Sequence, residues 1–298
     1  MKLKRFVHSE QFFAWMLLLP ASLVLLTVRL WPMIQGIGLS FTNRQLLKNV
    51  PTRFIGLENY LNLFNDKSYW SSASFTIIYT LGTVILGYLL GLAIALLMNM
   101  QIKGRGIFRT FVMIPWVIPS VVAAYIWRYA LNDQVGIINI VLQSLGLASK
   151  PVAFLSTPWA ARMTVILVNM WRNYPFMALV LLAGLQTVSE EIKEAARIDG
   201  ANIWQVFRNV TWPQLRGVTA MCTTLMFIWT FNNFDSVFLL TSGGPNEATY
   251  VLSVHAYYAA FSRMRTGYAS AMATLMLVFM LIVTTIYLRL INRKTAKE

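Results

Sequence analysis

Six long runs of apolar residues dominate the chain, at roughly 12–34, 71–98, 107–130, 158–188, 216–240 and 266–291. About 20 predominantly apolar residues cross a bilayer as a helix, so each run is long enough to span one. The pattern predicts an all-α integral membrane protein with six transmembrane helices. The membrane domain covers 12–291, between a short segment 1–11 and a tail 292–298. No connection is long enough for a separate soluble domain.

The spans differ in character. The second carries Gly82, Gly87 and Gly91, and Gly-x-x-x-Gly lets another helix backbone approach closely. The third holds Pro115 and Pro119, each removing a backbone donor and predicting a kink that opens space in a bundle. Tyr60, Phe64, Tyr69, Trp70 and Trp159, near span ends, read as interface anchors. Arg29, Arg128 and Arg162 read as snorkelling to the interface. Ser242-Gly-Gly-Pro245 reads as a tight turn.

Charge orders these elements across the membrane. Only 12% of residues are charged, against about a quarter in soluble domains. The net charge of +14 is distributed by topology, which argues against a nucleic-acid partner. With the N-terminus inside, the inner side carries Lys2, Lys4, Arg5, Lys103, Arg105, Arg109, Lys193, Arg197, Arg208, Arg216, Arg289, Arg293, Lys294 and Lys297. The other side carries Arg44, Lys48, Arg53, Lys67, Lys150, Arg263 and Arg265. The excess predicts that both termini are cytoplasmic. The first run is too long for a signal-peptide core and is followed by Trp31-Pro32 rather than a small-residue cleavage site, so it reads as a retained helix. Cys222 stands alone in a span and His8 and His255 lack metal-ligand spacing, so no metal site is expected.

One inner connection, 189–215, departs from plain loop composition. Ser189-Glu-Glu191 reads as a helix start. Ile192, Ala195 and Ala196 share a face, and Gly200 can end the helix in a left-handed turn. Asn202 can cap a second short helix with apolar positions Ile203, Val206, Phe207 and Val210, closed by Pro213. Composition alone would lay this segment on lipid.

The spacing inside it resembles something more specific. Glu194-Ala195-Ala196, Gly200, Val210 and Trp212-Pro213 match the pattern E-A-A-x3-G-x9-I-x-L-P of bacterial ABC importer permeases, with Val for Ile and Trp for Leu. Trp171-Arg-Asn-Tyr-Pro-Phe-Met177, Leu182-Ala-Gly-Leu-Gln186, Phe231-Asn-Asn-Phe234, Leu240-Thr-Ser-Gly-Gly-Pro245 and Gly267-Tyr-Ala-Ser-Ala271 resemble the MalF-like branch of the carbohydrate importers. The resemblance covers roughly 12–291. It implies a coupling helix in which Glu194, Ala195, Ala196, Asp199 and Gly200 dock on a cytoplasmic ATPase. It also implies a second six-helix permease, two ATPase subunits, an extracytoplasmic solute-binding protein and residence in the bacterial inner membrane. The chain has no G-x-x-x-x-G-K-[ST] loop to cradle phosphates. ATP and Mg are therefore expected on the partner ATPase, and neither a cofactor nor a catalytic residue here.

Polar groups deep in a span are costly and usually face a cavity or a partner. The fourth span holds Arg172 and Asn173, and the fifth holds Asn232, Asn233 and Asp235, at comparable depth because chain direction alternates. Trp171, Tyr174, Phe176, Trp229 and Phe234 flank them. Aromatic faces beside amides and a carboxylate suit a sugar ring with its hydroxyl rim. The resemblance places substrate contacts at Trp171, Asn173, Phe176, Trp229, Thr230 and Asn233. Of these, Trp171 and Asn233 match the maltose-type pattern, and the others depart from it. Arg172 and Asp235 join the candidate set with two readings open: an ion pair tying the helices together, or an Arg172 contact to an anionic sugar derivative. An ion-gradient-driven secondary transporter or channel is the alternative function, and an integral membrane enzyme ranks last for want of catalytic motifs.

Overall fold

The computed structural model describes residues 10–46, 51–100 and 103–295. Lys2, Lys4, Arg5, His8, Lys48 and Lys297 lie outside these, as do most of the 1–11 segment and the end of the 292–298 tail. Helix dominates the described residues, with one isolated bridge between Thr42 and Phe54.

Four helical stretches among the described residues are long and apolar enough to cross a membrane: Phe13–Ser40, Lys67–Asn99, Pro158–Gln186 and Thr266–Tyr287. A fifth candidate is a bent pair, Arg105–Val117 and Ser120–Ala130, turned by 92°. Pro119 caps the second half in an extended conformation, ψ 140°, so the predicted kink is a near right angle. The fifth predicted run, 216–240, is divided into Trp212–Phe231 and Asp235–Thr241. Gln214, Arg216, Thr219, Thr223 and Thr224 make Trp212–Phe231 less apolar than the other four. Two of these threonines meet tyrosines: Thr219 lies 3.3 Å from Tyr88 and Thr223 2.7 Å from Tyr287.

The chain falls into two compact units, one comprising Met1–Asp66 and Ala256–Val278, the other Lys67–His255 and Phe279–Glu298. The first contains α1 (Glu10–Val24), which continues through a wider π turn into α2 (Trp31–Ser40), and then α3 (Glu58–Asn65). The apolar stretch is exposed from Phe13 to Gln35, and only its end at Ser40 is buried. The connection after α2 is tied to the start of the last helix. Leu46 and Gly267 donate backbone N–H groups to Met264 and Arg44 carbonyls, each at 2.9 Å. Gly267 is required there because a Cβ would lie 2.1 Å from the Thr42 oxygen. Tyr60 bonds Ser40 at 2.6 Å and packs on Phe41, so it is part of this fold rather than a free interface anchor.

The second unit is built on α4 (Lys67–Asn99) and α8 (Pro158–Gln186). Gly91 brings the two backbones together: a Cβ there would sit 2.6 Å from Met177 Cβ and 3.0 Å from the Ala178 nitrogen. Around that contact Ala95, Met98, Met177, Leu181, Leu185, Leu215 and Met226 form the core. A buried polar seam also runs along α4. Ser72 meets His255 Nδ1 at 3.0 Å, Thr76 accepts the Leu252 N–H at 2.8 Å, and Thr83 meets Asn169 at 3.5 Å. His255 is fully buried in α13 (Leu252–Tyr257). Tyr69 is buried too, whereas Trp70 and Trp159 are exposed. Arg162 does not snorkel: its Nε donates to the Ala248 carbonyl at 2.7 Å and its guanidinium covers the Phe75 ring.

Candidate functional site

Three helices and the break after one of them enclose a polar cavity of about 200 Å³. Trp116 comes from α5 (Arg105–Val117), Arg172 and Asn173 from α8, Trp229 and Thr230 from α11 (Trp212–Phe231), and Asn233 from the segment before α12 (Asp235–Thr241). Local structure explains each placement. Pro115 and the turn at Ile118-Pro119 end α5 just after Trp116. Pro175, inside α8, cannot donate to the carbonyl four residues back, that of Trp171 beside Arg172. Asn232, Asn233 and Phe234 interrupt the helix. There the Asn233 side-chain oxygen accepts the Ser236 N–H at 3.2 Å, satisfying a donor at the start of α12.

An aromatic cluster supports the cavity. Phe176 lies between Trp116 and Trp229, with ring centroids 6.3 Å and 4.9 Å away. Asn173 is held by its own helix, its Nδ2 donating to the Asn169 carbonyl at 2.8 Å and Oδ1 at 2.9 Å. Two polar atoms of lining residues are buried without a partner: Arg172 Nε and Thr230 Oγ1. A buried polar atom without a partner costs about 1–3 kcal/mol, more for a charged group.

The structure thus brings together Arg172, Asn173, Trp229, Thr230 and Asn233 of the eight predicted substrate residues, and puts Phe176 behind the wall. Trp171 does not line the cavity and packs edge-on against Trp127 at 5.2 Å. Asp235 does not line it either and stands exposed in the first turn of α12, where a helix N-terminus favours a carboxylate. Arg172 and Asp235 form no ion pair with each other. Asn232 bonds within its own helix, to the Ile228 carbonyl, rather than across helices. Trp116 was absent from the sequence prediction. The only signal for it was its position between Pro115 and Pro119, where a kink opens space.

The 189–215 connection forms a second candidate site. Its first helix, α9 (Glu190–Ile198), ends as the spacing predicts: Gly200 has φ +86°, its N–H meets the Arg197 carbonyl at 3.0 Å, and Ala201 N–H meets Ala196 at 2.9 Å. These two bonds make the Schellman closure. Asn202 and Gln205 form a reciprocal capping box at 2.8 and 2.9 Å. Ser189 makes no side-chain cap, however, and Pro213 does not close the second helix. Instead α10 (Ile203–Val206) runs through a π turn at Phe207–Thr211 into α11, with Pro213 in the first turn, where its missing N–H costs nothing. Glu194, Ala195, Asp199 and Gly200 are exposed and Ala196 half-buried. Lys193 is buried and bonds Glu190 at 2.7 Å, which holds the Glu190 carboxyl below its ordinary value. Ile198, Ile203 and Trp204 are 86%, 87% and 67% exposed, an apolar tip around the Gly200 bend. No cluster of three or more His, Cys, Asp or Glu side chains suited to a metal occurs among the described residues.

Residues 87–297 match the family described as binding-protein-dependent transport system inner membrane component. The chain belongs to that family. It is 33% identical over 282 residues to the trehalose/maltose transport system permease protein MalF of Thermococcus litoralis, covering 95% of this chain and 94% of that protein. It is 32% identical over 286 residues to the sulfoquinovosyl glycerol transport system permease protein SmoG of Agrobacterium fabrum, covering 96% and 92%. A solved bacterial alginate ABC transporter, in complex with alginate pentasaccharide-bound periplasmic protein, contains a similar chain. Its TM-score is 0.83 at 23% identity, over 99% of this chain and 97% of that one. The chain is thus a multi-pass membrane transport component with an ABC permease fold.

Proposed function

We propose that this chain is one of two permease subunits of an ATP-driven importer for a sugar, oligosaccharide or sugar derivative. The cavity carries the proposal. It is lined by the membrane-length α8 together with α5 and α11, and sets tryptophans beside amide, hydroxyl and guanidinium groups. The named substrates of MalF and SmoG, trehalose or maltose and sulfoquinovosyl glycerol, support the carbohydrate class.

The 189–215 loop is the coupling element. Exposed Ile198, Ile203 and Trp204 at a bend fixed by Gly200 suit the groove of a partner, here the ATPase dimer that holds ATP and Mg. Glu194, Ala195, Ala196 and Asp199 form the side of that knob. A second permease completes the path, as expected for the family. A solute-binding protein delivers the sugar, consistent with the family description and with the alginate complex. The membrane domain spans 12–291 with six crossings and both termini cytoplasmic, in a bacterial inner membrane.

Reconstitution with the second permease, the ATPase and the binding protein tests this. ATP-dependent uptake of a carbohydrate from a labelled panel is expected, falling at least tenfold in Trp229→Ala with the ATPase still bound. Uptake driven by an imposed proton gradient in ATP-free vesicles would overturn the importer reading.

A further inference from the structure

On that importer reading, we propose that the transported carbohydrate is anionic, and that Arg172 is the residue that reads its carboxylate, sulfonate or phosphate. Arg172 lies near the middle of the 29-residue α8, the part of a spanning helix where charge is most costly. Its Nε is buried and has no hydrogen-bond partner. Among the described residues no carboxylate pairs with it: Asp235, the acid named as a candidate partner, is exposed and outside the cavity.

The remaining lining is neutral: Trp116, Asn173, Trp229, Thr230 and Asn233. Two of these are already committed in part. Asn173 donates to Asn169, and Asn233 accepts from Ser236 while its Nδ2 reaches Ser236 Oγ at 3.3 Å. The cavity therefore carries a fixed positive charge that no neighbouring acid balances. Guanidinium presents donors in a planar fork that matches carboxylate, sulfonate and phosphate oxygens two at a time. A neutral sugar would leave the charge uncompensated, whereas an anionic one pairs with it through charge-assisted hydrogen bonds.

The test uses the complete importer in proteoliposomes with its binding protein. It compares ATP-dependent uptake of charge-matched pairs: glucuronate, sulfoquinovose and glucose 6-phosphate against glucose, and a glucuronyl disaccharide against its neutral parent. The proposal expects the acidic member of a pair to be preferred by at least about tenfold, the scale of one charge-assisted contact. Arg172→Gln is expected to abolish that preference and Arg172→Lys to keep part of it, with the binding protein's own affinities unchanged. Preference for the neutral members, or an acid preference that survives Arg172→Gln, overturns the charge assignment and leaves the carbohydrate importer standing. ATP-dependent uptake of amino acids with no carbohydrate uptake overturns the carbohydrate reading itself.

Discussion

Replacing Gly200 isolates backbone conformation from packing. A Cβ built at this position meets nothing within 4 Å, and φ is +86°. Any penalty for a side chain therefore comes from the left-handed backbone alone, about 1–2 kcal/mol for an L-residue with a Cβ. Asn tolerates that region better than Ala, and a β-branched residue tolerates it least. The bonds at stake are Gly200 N–H to Arg197 and Ala201 N–H to Ala196. At 1.4 kcal/mol per factor of ten, Gly200→Ala should raise the opening constant of this turn about 5- to 30-fold. Gly200→Asn should raise it less and Gly200→Val more. Hydrogen exchange of the amides at 200 and 201 in the detergent-solubilised protein reads that constant directly. A penalty that grows simply with side-chain size, with Asn worse than Ala, would refute the conformational account. In the assembled importer the same series should uncouple ATP hydrolysis from uptake in the same order.

The close α4–α8 approach predicts that Gly91→Ala lowers thermal stability by about 1–3 kcal/mol, the range for overpacking. Gly217→Ala, where a Cβ meets open space, should be neutral or slightly stabilising; equal effects in a thermal unfolding assay would exclude helix approach as the cause. Glu190 is held below its ordinary 4.5 by the Lys193 hydrogen bond. Its contribution is therefore present above pH 4.5 and is lost as pH falls through the lowered value. The opening constant of α9, corrected for intrinsic exchange, should rise on acidification, and Glu190→Gln should remove that response. Trp116→Ala should lower carbohydrate uptake about tenfold through lost ring contact, whereas Trp171→Phe, outside the cavity, should stay near the parent rate; the reverse order would move the site.

Periodicity and punctuation made the helices legible, because apolar length and Gly or Pro placement act locally. The Gly200 turn and the Asn202 cap followed from residues within five positions of each other. Glycines at 87 and 91 announced a close approach, and Gly91 supplies it. Five cavity residues were legible as polar or aromatic groups deep in spans. What stayed hidden depended on rotation and on distant chain. Trp171 and Arg172 are neighbours on α8, yet one faces Trp127 and the other the cavity. Asp235 carries the charge that would suit Arg172, but the Asn232–Phe234 break puts it at an exposed helix start. Arg162 reads as a snorkelling cation until the Ala248 carbonyl comes within 2.7 Å of it. Pro213 reads as a terminator because sequence alone does not say whether the turn before it is already helical.

The uninterrupted run from Ile203 through the π turn to Phe231 has a mechanical consequence. At 1.5 Å per residue it is a rod of about 43 Å, with exposed Ile203 and Trp204 at one end and Trp229 and Thr230 near the other. A push on the tip is delivered along its length, with the widened turn at Phe207–Thr211 as the only irregular joint. Asn233 lies just beyond the far end. The cavity wall therefore includes the end of a lever: tilting the rod would carry Trp229, Thr230 and Asn233, whose N–H bonds the Thr230 carbonyl, together against Arg172 and Asn173 of α8. A load applied at the loop is read out as a change in the shape of the cavity.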